Sequence, residues 1–404
     1  MSIGIGASVA ESPLPASLTE PVQTTLAWEN RAVSTFDDYL ATFDGDPGYL
    51  NWAAFGPISP TVRAEVFADA DLLGSGRPSS LALVSERFGE ARELAAELLD
   101  VDAETVTLQP SSTHGLMHAF YGLTGTVIAS SAEFPSITMT LERASQASAG
   151  ELTPRWIEPE HTFVTPDAVA EALDDDVTAL AVSHVDFRTG YRVDLAALRE
   201  VLGPDRLLIV DAVQSFGVVD EDYSVADVVA GHGYKWLRAA RGTGFTSFSA
   251  KARERIAPVL SGFAGVEGGL PVDELPAPAA SARAYAVNSP DQLAVARLAI
   301  GLRDVRDAGV AAIDAAIGDR VDRIFEIADR HGIPVLTPRT SGQRAGIVTL
   351  APQEPAALSA ALTNAGIVAT TRGATVRLAA HAGTSDETLQ MLDDAIGTVG
   401  ALGV

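Results

Sequence analysis

The 404-residue chain contains no cysteine. Disulfides, thiolate metal ligands and any mechanism that needs a cysteine nucleophile of the chain's own are therefore excluded. Basic residues are scarce: 28 Lys and Arg stand against 53 Asp and Glu, for a formal charge of −25 and a pI near 4.5. Such a field repels phosphate backbones and anionic headgroups, which argues against nucleic acid and membrane surfaces as partners. No apolar run reaches the length of a membrane helix. The opening segment, MSIGIGASVAESPLPASLTEP, has neither the basic start nor the long apolar stretch of a secretory signal, so a cytoplasmic protein is expected. The seven histidines form no HExxH or comparable cluster, and no metal site is expected.

What is present suits a large α/β domain with a smaller one attached. Apolar residues make up 47% of the chain. Residues 1–48 read as an arm followed by a helix from about Trp28 to Phe43, residues 49–275 as the large domain, and residues 276–404 as a small C-terminal α/β domain. The stretch 79–99 places Leu83, Phe88, Ala91, Leu94, Ala95 and Leu98 at helical spacing. Short apolar runs at 106–108, 126–130, 177–183, 207–211, 227–231 and 243–249 suit strands buried on both faces. Helical patterns at 166–173, at 194–202 and within 133–149 separate several of them, predicting a mostly parallel sheet covered by helices. A Pro- and Gly-rich passage at 261–281 marks a boundary. Long helices over about 290–331, strands near 345–350 and 375–379, and a last helix at 386–402 follow.

The chemistry concentrates around Asp211 and Lys235, in LLIVDAVQSFGVVDEDYSVADVVAGHGYKWLRAARGTGF. One leaves a predicted buried strand and the other follows the next strand, with Gln214 one turn beyond the aspartate. Singly, a strand-end aspartate and a solvated lysine need no special explanation. Together with Gln214, the small residues before Tyr234-Lys235 and the RGTGF after them, they form the layout of a pyridoxal 5′-phosphate site. A lysine amine forms a Schiff base to the cofactor aldehyde, and a carboxylate beside the pyridine nitrogen keeps that nitrogen protonated, so that the ring accepts electrons.

Other segments fit around this pair. Pro110-Ser111-Ser112-Thr113-His114-Gly115 lies between a strand and a helix, where unpaired N–H groups and hydroxyls offer a phosphate seat without net positive charge; an ordinary helix cap has the same spacing. Phe134, at the end of the strand before it, is placed to stack on a pyridine face. His232 and Tyr234 flank the lysine as donors to a phosphate or substrate oxygen, or as core polar residues. Arg377, on a predicted strand of the small domain, suits a bidentate grip on a substrate carboxylate.

These residues resemble the class V aminotransferase family of fold-type I pyridoxal phosphate enzymes, from about Tyr49 to the C-terminus. Asp211 to Gly217 is similar to the family's D-x-x-Q-x-x-G segment, which implies that Asp211 serves the pyridine nitrogen and Gln214 the phenolic oxygen. The resemblance further implies Lys235 as the Schiff-base lysine, Ser112 and Thr113 as phosphate hydroxyls, Phe134 as the stacking ring, Arg377 as the carboxylate arginine and Asn51 in a substrate-side loop. It implies a homodimer, in which Thr243 reaches the neighbouring phosphate. YKWLRAARGTGF is most similar to the isopenicillin N epimerase and carbon–sulfur lyase branch. Tyr234, where that branch has histidine, looks like kynureninase, whereas Ile137 stands where kynureninase has an aspartate. The expected activity is conversion of a small α-amino acid through an external aldimine, with amino transfer first. A carbon–sulfur β-lyase or epimerase, a kynureninase-like hydrolase and a non-catalytic relative are the alternatives.

Overall fold

A computed structural model of the protein describes residues 33–267 and 275–401. Helices α1 (Phe36–Ala41), α2 (Pro60–Gly74) and α3 (Pro78–Leu99) lead into β1 (Val106–Gln109) and α4 (Ser112–Tyr121). Next come β2 (Gly125–Ser130), α5 (Pro135–Ala147), β3 (Leu152–Ile157), α6 (Pro166–Ala172), β4 (Val177–Ser183), α7 (Leu195–Leu202) and β5 (Leu207–Asp211). They are followed by β6 (Val228–His232), β7 (Gly244–Phe248) and α8 (Ala250–Arg255). The C-terminal part holds α9 (Gln292–Ala308), α10 (Val310–Arg330), β8 (Ile347–Leu350), α11 (Pro355–Asn364), β9 (Thr370–Arg372), β10 (Thr375–Ala379) and α12 (Asp386–Ala401).

Among the described residues seven strands form one sheet in the order β1-β7-β6-β5-β4-β2-β3. All run parallel except β7, which is antiparallel to both of its neighbours. This is the α/β architecture expected from the sequence. The apolar runs work because neighbouring residues serve opposite faces. Ala179, Ala181, Leu207 and Ile209 pack with Leu116 and Phe120 of α4 and Ile137 and Leu141 of α5. Leu180, Val182, Leu208 and Val210 pack on the other face with residues of α3, α7 and α9. Gly115 is required where α4 crosses the sheet, because a Cβ there would lie 1.7 Å from Thr246 Oγ1.

Several elements differ from the sequence reading. The helix expected from Trp28 is α1, starting at Phe36; Trp28 lies outside the described residues. Helices α2 and α11 and strands β3 and β9 were not anticipated. The helical stretch from 290 to 331 divides at Gly309 (φ +84°), which caps α9 and begins α10. A second sheet, β8-β10-β9, is antiparallel and sets Arg377 opposite Thr349 and Thr370. Tyr49 and Asn51 form bridges to Val368 and Ala379, so the segment entering the large fold is tied to this smaller sheet.

Candidate active site

Strands β2, β4, β5 and β6 end on one rim of the large sheet, with Ser183 in register with Asp211. The crevice beyond the carboxyl ends of parallel strands is where open α/β sheets bind ligands. A cavity of about 280 Å³ opens there, and Ser112, Thr113, Phe134, Asp211, Gln214, His232, Tyr234 and Lys235 all line it. Four separate loops of the sequence are thus brought together by one sheet edge.

Lys235 is 5% exposed, and its Nζ lies 5.2 Å from the Tyr234 ring centre and 5.8 Å from that of Phe134. Among the described residues it makes no ion pair. Burial pushes its pKa down to about 7; Asp211 opposes this, while the charges of Arg377, Arg241 and Arg372 reinforce it. Such an amine carries and releases a proton at neutral pH. The chain has only two lysines. The other, Lys251, is held 3.0 Å from Asp227 Oδ1 and donates to the Pro204 carbonyl at 2.7 Å, which leaves Lys235 as the one that faces a cavity. That count is a signal the sequence reading passed over.

The turn after Lys235 holds Arg238 and Ala240 in the left-handed region, at φ +57° and +60°. Non-glycine residues persist there only where their surroundings fix them. Arg238 supplies that constraint: its guanidinium donates to Thr42 Oγ1, the Thr42 carbonyl and the Pro57 carbonyl at 2.6, 2.8 and 3.2 Å. Gly56 lies so close behind the lysine that a Cβ there would sit 1.8 Å from the Lys235 carbonyl oxygen.

Asp211 is buried at the end of β5, and its Oδ1 accepts from the Val213 N–H at 3.0 Å. Burial raises its pKa, against the pull of that N–H and of Lys235. A carboxylate made more basic in this way binds strongly to a proton on a ring nitrogen. Gln214 is held at both ends, with Oε1 accepting from Trp236 Nε1 at 3.0 Å and Nε2 donating to the Ala53 carbonyl at 3.1 Å. Phe134 meets Phe187 edge to face, with ring centres 5.0 Å apart.

Elsewhere in the cavity lining, Ser111 caps α4 and Thr113 Oγ1 lies 2.7 Å from Ser136 Oγ. His232 Nε2 is buried with no hydrogen-bond partner among the described residues. Burial, with the charges of Lys235, Arg241 and His114, lowers the His232 pKa to about 3, so the ring is neutral. A helix N-terminus, hydroxyls and an orphaned buried ring nitrogen facing one space are the donor set for a phosphate.

Three expected site residues do not line this cavity. Arg377 lines a neighbouring one, and its Nη1 donates to the carbonyl of Phe187, a residue of the first, at 2.7 Å. Asn51 bridges to Ala379 and its Oδ1 accepts from Thr370 Oγ1 at 2.8 Å. Thr243 is 1% exposed, and its hydroxyl donates to the Ala240 carbonyl at 2.6 Å. The sequence reading gave no site role to Glu133, Ser183 or Phe187. Glu133 is buried and accepts from the Ser183 N–H and hydroxyl at 2.9 and 2.5 Å. Its pKa is raised to about 7 by burial, which outweighs those two bonds.

The profile of the family Aminotransferase class-V matches residues 75–387, and the chain belongs to that family. It is therefore an enzyme, transferase or lyase, of a family whose cofactor is pyridoxal 5′-phosphate, and the cavity's lysine, carboxylate and phosphate-donor set fit that group. The chain is 29% identical over 249 residues to cysteine desulfurase IscS of Pseudomonas putida, covering 57% of this chain and 60% of that one. It is 28% identical over 210 residues to kynureninase of Deinococcus radiodurans, covering 50% and 51%. It thus spans between half and two thirds of the length of these relatives. Among solved structures, the cystine C–S lyase C-DES in complex with cysteine persulfide superposes with a TM-score of 0.78 at 19% identity, covering 87% of this chain and 97% of that chain. The cysteine desulfurase of Thermococcus onnurineus NA1 gives 0.75 at 19% identity, covering 88% and 94%. Among the described residues no helix is long and apolar enough to cross a membrane.

Proposed function

We propose that the protein is a lyase that expels a β-substituent, a thiol in the simplest case, from an α-amino acid. The observation that carries this reading is a pair of proton carriers on one cavity wall. Lys235 has a pKa brought down to about 7, and the Tyr234 phenol has one raised by burial, so it keeps its proton. Ser112, Thr113 and His232 would hold the cofactor phosphate, Phe134 its ring face, Gln214 its phenolic oxygen and Asp211 its nitrogen. When bound, the cofactor supplies an electron sink for the substrate's Cα.

The Lys235 amine takes the α-proton. The Cβ–S bond then breaks with its electron pair on sulfur, and Tyr234 gives that sulfur a proton. Hydrolysis of the remaining three-carbon fragment leaves a keto acid and ammonia. The likeness to a cysteine desulfurase supports sulfur as the leaving atom. With no cysteine in the chain to receive it, sulfur departs into solution.

Amino transfer, the first expectation from sequence, is the second reading, because it uses Lys235 alone to move the proton. The two separate cleanly. Holoenzyme incubated with S-alkyl cysteines should release thiol and pyruvate without any keto-acid acceptor. Keto acid formed only when an acceptor is added would establish transfer instead, and no product from any amino acid would overturn both. We also propose a homodimer as the working unit; a 42.0 kDa monomer that keeps full turnover in sedimentation would refute it.

A further inference from the structure

Beside the active-site cavity lies a second one of about 370 Å³, lined by Arg188, Arg372, Arg377 and Thr162 among others. Elsewhere in this acidic chain several arginines have carboxylate partners: Arg87 contacts Glu65, Asp69 and Glu90, and Arg344 contacts Asp322. Around the second cavity they do not. Among the described residues no carboxylate lies within ion-pair distance of Arg188, Arg372 or Arg377. Asp186 feels the charges of Arg188 and Arg377, but its Oδ1 is committed to the N–H groups of Arg188 and Thr189 and the Thr189 hydroxyl, at 2.9, 2.6 and 2.7 Å.

Two further observations point to a missing ligand. Among the described residues Arg377, 3% exposed, has its Nε buried without a partner, and Thr162 Oγ1 is likewise buried and unpartnered. Like charges gathered without an anion repel one another: the charge of Arg372 helps burial depress the Arg377 pKa to about 10. A carboxylate on Arg377 and a second among Arg188, Arg372 and Thr162 would relieve both the repulsion and the two unmet donors.

Phe187 links the linings of the two cavities. Its ring lines the first, its carbonyl holds Arg377, and the guanidinium carbons of Arg188 and Arg372 each lie 5.1 Å from its ring centre. A substrate whose Cα sits at Lys235 and whose side chain runs past Phe187 therefore ends among arginines.

We infer that the second cavity binds an anionic end of the substrate, and that the preferred substrate is an amino acid whose β-substituent terminates in a carboxylate. This rests on the lyase reading for the chemistry, with Arg377 left to the α-carboxylate and Arg188 and Arg372 taking the distal one. Planar guanidinium groups suit a carboxylate in both positions.

The test compares S-carboxymethyl-L-cysteine with S-carbamoylmethyl-L-cysteine on the holoenzyme. The two match in shape and differ by one charge. The acid should be favoured by about tenfold or more in kcat/KM, the size expected of one charge-assisted contact. Arg372→Gln and Arg188→Gln, both at exposed positions, should each shrink that ratio. Glutarate binding, measured by calorimetry, should weaken in the same variants. Equal turnover of the two conjugates would overturn the inference and leave the lyase reading standing. Glutarate binding that depends on Arg188 and Arg372, with no pyruvate from either conjugate, would uphold the anion site and sink the lyase reading. Failure of glutarate to bind the unmutated protein would overturn the anion site by itself.

Discussion

Trp236 Nε1 donates to Gln214 Oε1 at 3.0 Å, tying the residue that follows the site lysine to the residue three beyond the site aspartate. With Gln214 Nε2 also bonded to the Ala53 carbonyl, the amide has one fixed orientation and one remaining N–H to offer the cavity. Trp236→Phe keeps an aromatic ring at a position 1% exposed but leaves Oε1 buried without its donor. The unfolding free energy should fall by about 1–3 kcal/mol. Denaturant titration at constant slope measures it, and an unchanged midpoint would show that the amide finds another partner.

Asp211→Asn preserves shape and the Val213 contact but replaces an anion by an amide. The amide cannot keep a ring nitrogen protonated, so cofactor occupancy should persist while turnover drops by about a hundredfold or more. Absorbance gives the first quantity and initial rates the second. Normal turnover with full occupancy would mean that the carboxylate has no part in proton removal.

Glu133 gives stability a definite pH dependence. Its folded-state pKa, about 7, lies above the ordinary 4.5, so the native state holds the proton more tightly than the unfolded chain. The stability it contributes is full below 4.5 and is lost as pH rises toward 7. Glu133→Gln, a neutral mimic, should therefore gain on the unmutated protein across that window in melting temperature. A constant difference from pH 4 to 8 would contradict the raised pKa.

Lys235 should act with the opposite slope in cofactor-free protein. Its folded pKa, about 7 against 10.5 unfolded, means that the native state binds fewer protons between those limits, and stability rises with pH through them. Below about pH 7 the cost of charging the buried amine is fully present. Lys235→Met should remove the rise, and parallel melting profiles for the two proteins from pH 7 to 10 would count against a depressed amine.

Much of the fold could be read because its central strands are apolar on both faces, and the runs at 177–183 and 207–211 are β4 and β5. Strand β3, LTPRWI, hid because it sits at the sheet edge: only Leu152 is fully buried, and Pro154 and Arg155 break the pattern. Helix α2 hid because its buried residues, Pro60, Val62 and Asp69, form no apolar stripe. In the site, residues that share one chain segment with their partners were legible, as Asp211, Gln214 and Lys235 were. Arg188 and Arg372 were not, since nothing in either local sequence says that a turn after β4 and the end of β9 close on the same Phe187.

With only two lysines in the chain, one measurement tests the assignment at its root. Holoenzyme is reduced with borohydride, digested, and the cofactor-bearing peptide identified by mass spectrometry. The label is expected on the peptide containing Lys235 and to be absent from that of Lys251, with the visible absorbance band lost in Lys235→Ala. A label on Lys251, or a band that survives the substitution, would contradict the site described here.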